Sequence, residues 1–298
     1  MGNGDSAAGT GAGAGRRSAS GRRSRRPTLT VCILCQNNAD RLPRLLSQVS
    51  PLADEVILVD GGSTDDTREI ASRYANVRLL HRPFDGNFAR QRNFGIDHAR
   101  SEWVFFLDTD ELLGPNLVKI LPDLLECPFD CARIPRYWLS QEDPPLYVET
   151  EILYPNPQTR FLRNRPEIRF DETRPVHEKI APEVRGFRLT VKNCHILHYC
   201  FLLTSAEQRR RKVEFYESVH PPSEYINYVY AYEDSQYTLR PCRESWRDGV
   251  PEIQNRFDPL LERIRIRFWS RLVLPLLRTL SAWGLRPGRS GSFTKNPG

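Results

Sequence analysis

Lysine is scarce in this chain of 298 residues. Only Lys119, Lys179, Lys192, Lys212 and Lys295 occur, so the 43 basic residues are overwhelmingly arginine, and arginine carries the net charge of +6. A basic surface suits phosphate-bearing substrates, an anionic membrane or nucleic acid, and does not choose among them. Also missing are a secretory leader and any apolar stretch of the roughly 20 residues that a bilayer requires. The expected location is therefore cytoplasmic, with peripheral contact at the inner face of the membrane left open. A disulfide framework is lacking too, because the seven cysteines are odd in number and irregularly spaced. Cys32 and Cys35 form a CxxC, but inside a predicted strand, where a three-residue spacing sends side chains to opposite faces. That argues against a zinc or redox pair and makes the cysteines small core residues in a reducing compartment. The chain is long enough for one large domain, or a domain plus an appendage, to bury its core without cross-links.

Residues 1–27 are dominated by Gly, Ala, Ser and Arg without apolar periodicity, which predicts a disordered basic tail. Its first residues, Met1-Gly2-Asn3-Gly4-Asp5-Ser6, fit the myristoylation pattern, and the Arg cluster behind them would be a second membrane signal. From Thr28 the rhythm becomes strand, helix, strand. Thr28 to Cys35 is a short apolar run without helical period, hence a buried strand. Leu42, Leu45, Leu46 and Val49 recur at helical spacing, with Asp40 as the expected N-cap. Glu55 to Asp60 is a second strand, and Ser63 with Asp66 predicts a capping box for a helix that buries Ile70 and Tyr74. Val77 to His81 is a third strand, Asn87 to Ala99 a helix, and Trp103 to Asp108 a fourth strand. Pro115 opens a helix that buries Leu117, Ile120, Leu121 and Leu124. Strands alternating with helices predict an α/β fold with a parallel sheet covered on both faces.

After Cys127 the pattern loosens. Pro- and Arg-rich segments over 128–175 lead to short strands around Phe187–Val191 and Cys194–Tyr199, and then to a helix over 205–219. The stretch 261–283 sets Leu261, Ile264, Phe268, Leu272 and Leu276 along one stripe, with Arg263, Arg267, Arg271 and Arg278 elsewhere. It predicts a basic amphipathic helix, bent at Pro275, fit to lie on an anionic membrane or to pack on the domain.

The most informative local feature is Asp108-Thr109-Asp110, at the end of the apolar run Trp103-Val104-Phe105-Phe106-Leu107. Two carboxylates just past a buried strand make a port for Mg²⁺ or Mn²⁺, which takes one or two carboxylates plus substrate phosphates. Open α/β sheets bind ligands at that end of their strands.

The order of motifs from 28 to 115 resembles family 2 glycosyltransferases with the GT-A fold. The residues that carry it are Thr30-Val31-Cys32-Ile33-Leu34-Cys35-Gln36-Asn37-Asn38 and Ala53-Asp54-Glu55-Val56-Ile57-Leu58-Val59-Asp60-Gly61-Gly62-Ser63-Thr64-Asp65-Asp66-Thr67. Ala89-Arg90-Gln91-Arg92-Asn93-Phe94-Gly95-Ile96 and Phe106-Leu107-Asp108-Thr109-Asp110-Glu111 continue it. The Ala-Asp-Glu before the second strand and His81-Arg82-Pro83 before the third helix are similar to the bacterial branch that builds lipopolysaccharide core and other surface glycans. A weaker likeness runs through Arg160-Phe161-Leu162-Arg163, Val176-His177-Glu178 and Leu197-His198-Tyr199.

The resemblance implies a GT-A domain over 28–220, with a nucleotide-sugar half (28–126) and an acceptor half (127–220), followed by a C-terminal helical extension over 221–298. It implies a nucleotide-sugar donor, UDP-linked, and a glycan, lipid-linked or small-molecule acceptor, with no nucleic acid as partner. Cys35, Asn37, Asp60, Gly61, Gly62, Arg92, Asn93, Asp108 and Thr109 would bind the nucleotide. In that role Asp60 would accept from the imide N–H of a uracil-like base, its alternative being an Asx-turn. The two glycines would let the backbone approach the nucleoside. Arg92 would neutralise phosphate or fix the nucleotide, and Asn93 would hold the loop before the metal site. Asp110, Asp108 and His198 would hold Mg²⁺ or Mn²⁺, with His177 and His195 as competing histidines. Glu178 is the candidate general base, with Asp171 and Glu172 as rivals in the same segment. Arg160, Arg163 and Arg165 form a cationic cluster suited to a phosphorylated or acidic acceptor. The reaction so implied is an inverting, in-line displacement with an oxocarbenium-like transition state.

Two other classes compete. A haloacid-dehalogenase-like phosphatase also places Asp-x-Asp after an apolar strand, with the first Asp, here Asp108, as nucleophile. That fold carries the motif on its first strand, whereas three strand–helix units precede it here. A basic module binding nucleic acid or membrane would use the Arg-rich tail and last helix, but no nucleic-acid fold signature accompanies them.

Overall fold

A computed structural model of the chain describes residues 26–150, 152–181, 188–219 and 237–242, with isolated positions and two short strands beyond. The first half alternates as the sequence predicts: β1 (Leu29–Cys35), α1 (Leu42–Val49), β2 (Glu55–Asp60), α2 (Thr67–Ser72), β3 (Val77–His81), α3 (Phe88–His98) and β4 (Trp103–Asp108). There follow β5 (Glu111–Leu113), α4 (Pro115–Leu125), β6 (Cys131–Ile134), β7 (Arg136–Glu142), β8 (Pro145–Glu149) and β9 (Gln158–Arg163). The remainder comprises β10 (Arg188–Thr190), β11 (Ile196–His198), α5 (Cys200–Leu203), α6 (Ala206–Val219) and β12 (Thr238–Pro241), with β13 (Leu285–Pro287) and β14 (Phe293–Lys295) as a separate antiparallel pair.

The main sheet has seven strands in the order β10-β6-β9-β4-β1-β2-β3. Strands β3, β2, β1 and β4 are mutually parallel, and β9 joins antiparallel to β4. Alternation along these strands divides the core into two layers. Val31, Ile33, Val56, Leu58, Phe105 and Leu107 pack on one face with α1 and α4, whereas Cys32, Ile57, Val59, Val104 and Phe106 pack on the other with Ala89 and Ile96 of α3. Cys32 and Cys35 therefore fall in different layers, and all seven cysteines are buried and free.

A second sheet of five strands runs β12-β8-β7-β11-β5. It grows from the segment that reads as loose in the sequence. The alternation there is hidden because buried arginines, Arg136 and Arg160, occupy inward positions. Strand β12 lies beyond the boundary expected at residue 220 yet completes this sheet by pairing with β8. Within 221–298 the described strands are β12, which finds an open sheet edge, and the pair β13 and β14. The predicted amphipathic helix over 261–283 lies, but for isolated positions, outside the described residues, as does the basic tail up to Arg25.

Two helix starts differ from expectation. The N-cap of α1 is Arg41 without a side-chain cap, and the amides of Arg41 and Leu42 donate to the Asn38 carbonyl at 3.1 and 3.0 Å. Asp40 instead lies beside Arg41, at 3.4 Å. The Ser63–Asp66 box does not form either. Ser63 Oγ accepts from the Asn37 amide at 2.9 Å, and Asp65 takes the Thr67 amide at 3.0 Å. These side chains lace the end of β1 to the end of β2.

Gly95 sets how closely α3 approaches the sheet. A Cβ there would stand 2.4 Å from Cys32 Sγ and 3.4 Å from Val59 Cγ2. Helix propensity alone favours alanine by about 1 kcal/mol, so a net loss reports the clash. Gly95→Ala is expected to cost about 1–3 kcal/mol in urea unfolding. Adding Cys32→Ala should make the pair less damaging than the sum of the two single changes. Strict additivity would show that the sulfur is not the obstacle.

Candidate active site

The carboxyl ends of β1, β2 and β4 meet where strand order reverses around β1, the place where open α/β sheets hold ligands. A cavity of about 800 Å³ opens there, lined among others by Cys35, Gly61, Arg92, Asp108, Thr109, Asp110, Glu178 and His198.

The turn after β2 is built by Asp60. Its Oδ1 accepts the amides of Gly62 and Ser63 at 3.2 and 2.8 Å, and its Oδ2 accepts Arg68 Nε at 2.9 Å. Burial opposes ionisation, yet the bonds from Ser63, Gly62 and Arg68 hold the carboxyl below its ordinary range. Both oxygens are thus engaged within the protein, which is the Asx-turn arrangement. Gly62, at φ +113°, supplies the left-handed step that this turn needs, and Gly61 has Phe84 and Gln36 atoms 3.3 Å from where a Cβ would stand. Asn37 Oδ1 accepts the Thr64 amide at 2.8 Å. Asp60, Asn37 and Gly62 shape the cavity's rim without lining it.

Helix α3 delivers Arg92 and Asn93 with different duties. Asn93 Nδ2 donates to the Phe170 carbonyl at 3.0 Å and its Oδ1 accepts the Phe170 amide at 2.8 Å. It pins the segment that carries Glu178, not the loop before the acidic pair. Arg92 is buried, and its guanidinium donates from Nη2 to Asp108 Oδ1 at 2.9 Å and from Nε to Glu178 Oε1.

Asp108 is held a second time, from β9. Arg160 donates from Nη1 to Oδ1 at 3.2 Å and from Nη2 to Oδ2 at 2.6 Å. Arg160 Nη2 also reaches Glu111 Oε1 at 3.0 Å, and Arg136 Nη1 reaches the same oxygen at 3.2 Å. Glu111 Oε2 accepts the Asp108 amide at 2.9 Å. Burial alone would push the Asp108 carboxyl up, but Arg160 and Arg92 hold it well below the usual carboxylate range. Glu111 goes the other way, raised by burial and by its acidic neighbours Asp108 and Asp110 against the pull of Arg160 and Arg136. Arg92 Nη1, Arg136 Nε and Arg160 Nε are buried without a hydrogen-bond partner among the described residues.

The expected cluster of Arg160, Arg163 and Arg165 is split. Residues 160 and 163 point to opposite faces of β9. Arg163 lies over the Trp103 ring at 4.0 Å, while Arg165 pairs with Asp130 at 2.8 Å.

Asp110 receives its neighbour from the second sheet. The antiparallel register of β5 and β11 sets His198 opposite Glu111, and the Tyr199 amide donates to the Asp110 carbonyl at 2.8 Å. His198 Nε2 then lies 3.5 Å from Asp110 Oδ1. Burial, aided by Arg136 and Lys212, brings the His198 pKa down to about 3, so the ring is neutral. His198 Nδ1 is buried without a hydrogen-bond partner among the described residues. Of the competing histidines, His195 stacks on Tyr137 at 3.8 Å, and His177 lines the cavity edge-on to Tyr216.

A carboxylate facing a neutral imidazole fits a divalent cation. Two octahedral ligands of Mg²⁺ or Mn²⁺, each about 2.1 Å from the ion, stand about 3 Å apart. No group of three or more His, Cys, Asp or Glu is gathered for a metal among the described residues. A cation here would therefore lean on Asp110 and His198 and complete its shell with phosphate and water. Asp108, expected beside them, is satisfied by guanidiniums. Of the candidate bases, Glu178 alone lines the cavity. Asp171 turns back to Thr173, and Glu172 accepts from Asn93 at 2.9 Å.

Sequence reasoning missed Arg136, Glu111, Trp138, Lys212 and Tyr216. The only signal for the first two was the oddity of ionic residues at inward strand positions.

The architecture is an α/β fold of GT-A type, with a mostly parallel central sheet flanked by helices. The chain belongs to glycosyl transferase family 2, whose model matches residues 30–195. It is 28% identical over 251 residues to a TPR repeat-containing protein of Synechococcus elongatus, covering 78% of this chain and 60% of that one. It is 30% identical over 162 residues to the lipopolysaccharide core biosynthesis glycosyltransferase LpsC of Rhizobium meliloti, covering 52% of this chain and 57% of LpsC. Among solved structures, S. aureus TarS in complex with UDP is 17% identical with a TM-score of 0.40, over 64% of this chain and 65% of TarS. The chain spans less than two thirds of the length of these proteins. The phosphatase and nucleic-acid alternatives give way to the family assignment.

Arg160→Met takes from Asp108 and from Glu111 one of their two buried guanidinium partners, leaving Arg92 and Arg136 to them, and is expected to cost about 3–5 kcal/mol near neutral pH. Asp108, with its folded pKa depressed, contributes stability above the ordinary carboxylate range and loses it as pH falls toward that depressed value. The difference between wild type and variant should therefore narrow in acid. A gap that stays constant from pH 7 to pH 3 would remove Asp108 as the partner that matters.

Proposed function

We propose that this chain is a metal-dependent, inverting glycosyltransferase that moves a sugar from a UDP-linked donor to a hydroxyl of a cell-surface or lipopolysaccharide-type glycan. The observation that carries it is the Asp110–His198 pair, 3.5 Å apart and sharing one cavity with Glu178. Family membership supports the reaction class, and the likeness to LpsC, a lipopolysaccharide core biosynthesis glycosyltransferase, supports the glycan class of the acceptor.

Asp110 and His198 would hold Mn²⁺ or Mg²⁺, which supplies Lewis-acid stabilisation of the departing diphosphate. Arg92 and Arg160 line the same cavity and place positive charge in its wall. Glu178 takes the proton of the acceptor hydroxyl as that oxygen attacks the anomeric carbon opposite the leaving group. Burial would raise the Glu178 pKa, but Arg92 holds it below the ordinary range, so the group is ionised and ready to accept at neutral pH. One displacement of this kind inverts the anomeric centre. The cavity is lined by apolar Leu34, Val59 and Phe170 as well as by charge, which keeps bulk water from competing with the acceptor. Among the described residues no helix is long and apolar enough to cross a membrane, so a lipid-linked acceptor would be met at a surface.

Asp110→Ala is expected to abolish transfer and to remove the Mn²⁺ dependence of UDP binding in calorimetry. Retention of both would overturn the metal assignment. Glu178→Gln should leave UDP affinity within about twofold while lowering the transfer rate by about 10²–10⁴-fold. A rate near wild type would move the base elsewhere.

A further inference from the structure

Helix α6 packs beside the cavity, and one of its faces belongs to it. Arg209 fixes the helix at its foot. It is fully buried, its Nη1 donates to the Thr204 carbonyl at 2.9 Å, and its guanidinium lies 4.6 Å from the Phe201 ring centroid. At the other end Tyr216 lies edge-on to Phe88, with ring centroids 6.2 Å apart, and Val219 lies against Gly86. Arg209, Lys212, Val213 and Tyr216 follow one another at helical spacing on a single face. Lys212 and Tyr216 line the same cavity as Asp110, His198 and Glu178. The Lys212 ammonium lies 5.7 Å from the Tyr216 ring centroid. Its charge is felt at the Tyr216 hydroxyl and at His198.

The fixed charges of the cavity leave a definite task. The guanidiniums of Arg92, Arg136 and Arg160 are committed to the carboxylates of Asp108, Glu111 and Glu178, three against three. Asp110 adds one more negative charge beside a neutral imidazole. A nucleotide-sugar diphosphate brings two further negative charges. It gains a third when the bond from the anomeric carbon to the β-phosphate oxygen breaks with both electrons on that oxygen. Meanwhile the acceptor oxygen bonds the anomeric carbon and passes its proton to Glu178. One divalent cation at Asp110 does not offset that sum, and the lining cations outside the matched set are Arg41, Lys179 and Lys212.

We propose that Lys212 is a diphosphate-binding residue, its ammonium contacting the phosphate oxygens of the donor and of the departing nucleotide while the Tyr216 hydroxyl holds it in place. This rests on the donor reading above. The choice of lysine supports it in a chain that otherwise meets its needs with arginine: two of its five lysines, Lys179 and Lys212, line this cavity. Arginine suits fixed bidentate partners, whereas lysine is a point charge on a flexible stem and can follow a group that moves.

The test is calorimetry on the full chain in Mn²⁺ with UDP and with inorganic pyrophosphate, for wild type, Lys212→Met and Lys212→Arg. Lys212 is exposed overall, so methionine leaves the core intact, and the unfolding temperature checks that it does. Lys212→Met is expected to lose about 10–100-fold in affinity for both ligands, as for a lost hydrogen bond to a charged group. Lys212→Arg should recover part of it. Wild-type affinity in Lys212→Met for both ligands overturns the proposal, and so does a wild type that binds neither. A wild type that binds pyrophosphate but not UDP, with the same dependence on Lys212, keeps the residue's role and overturns the uridine donor instead.

Discussion

The carboxylate of Asp108, gripped by Arg92 from one helix and by Arg160 from one strand, is the constraint on which the site depends. It ties α3 to β4 and β4 to β9. Through the second arm of Arg92 it ties in the segment carrying Glu178, and through Arg160 it reaches Glu111 and the second sheet. Such a network is a poor source of net stability, because each ion gives up several kcal/mol of hydration on burial and the pairing returns about as much. Its value lies in definition. With buried charges matched one to one, any displaced member leaves another unpaired, so the parts of the cavity cannot shift independently.

The second sheet converts this rigidity into geometry at Asp110. Strand β5 has only three residues, and its antiparallel pairing with β11 decides which side chain stands across from the acidic pair. A slip of one residue would send His198 to the other face, away from Asp110. The neighbouring pairs guard against it. Leu113 and Ile196 are buried in register, and Trp138 on the parallel neighbour β7 packs edge-on against His198 with centroids 4.1 Å apart. Aromatic packing therefore fixes the ring, and hydrogen bonding of the strands fixes the residue.

The sequence was legible where one period governed a segment. From Leu29 to Leu125 short apolar runs and helical spacing follow one another, so strands and helices fall within a residue or two of expectation, apart from β5, which was not expected. Arg136 and Arg160 broke that reading. An arginine in a strand reads as solvent-facing, yet both are buried here because Glu111 and Asp108 answer them, and nothing local in the sequence announces a partner 25 or 49 residues away. The acidic pair itself was legible, but the different fates of its members were not. Asp108 faces guanidiniums and Asp110 faces an imidazole only because β9 and β11, distant in sequence, arrive on either side of it. Asn93 shows the same limit, since its partner Phe170 lies 77 residues on.

These separate fates explain why a cation would prefer one end of so charged a cavity. Around Asp108 the positive groups are permanent and close, so a divalent ion would meet two guanidiniums before it met a free oxygen. Among the described residues Asp110 has no such company. Its neighbour is a ring that burial keeps uncharged throughout the physiological range, leaving one ring nitrogen's lone pair for a metal or a hydrogen bond and adding no repulsion of its own. Two residues of chain thus separate a carboxylate paired with guanidiniums from one that faces an imidazole. On the proposed reading, that difference is what would direct a metal–diphosphate to one end of the cavity, with no dedicated cage of ligands required.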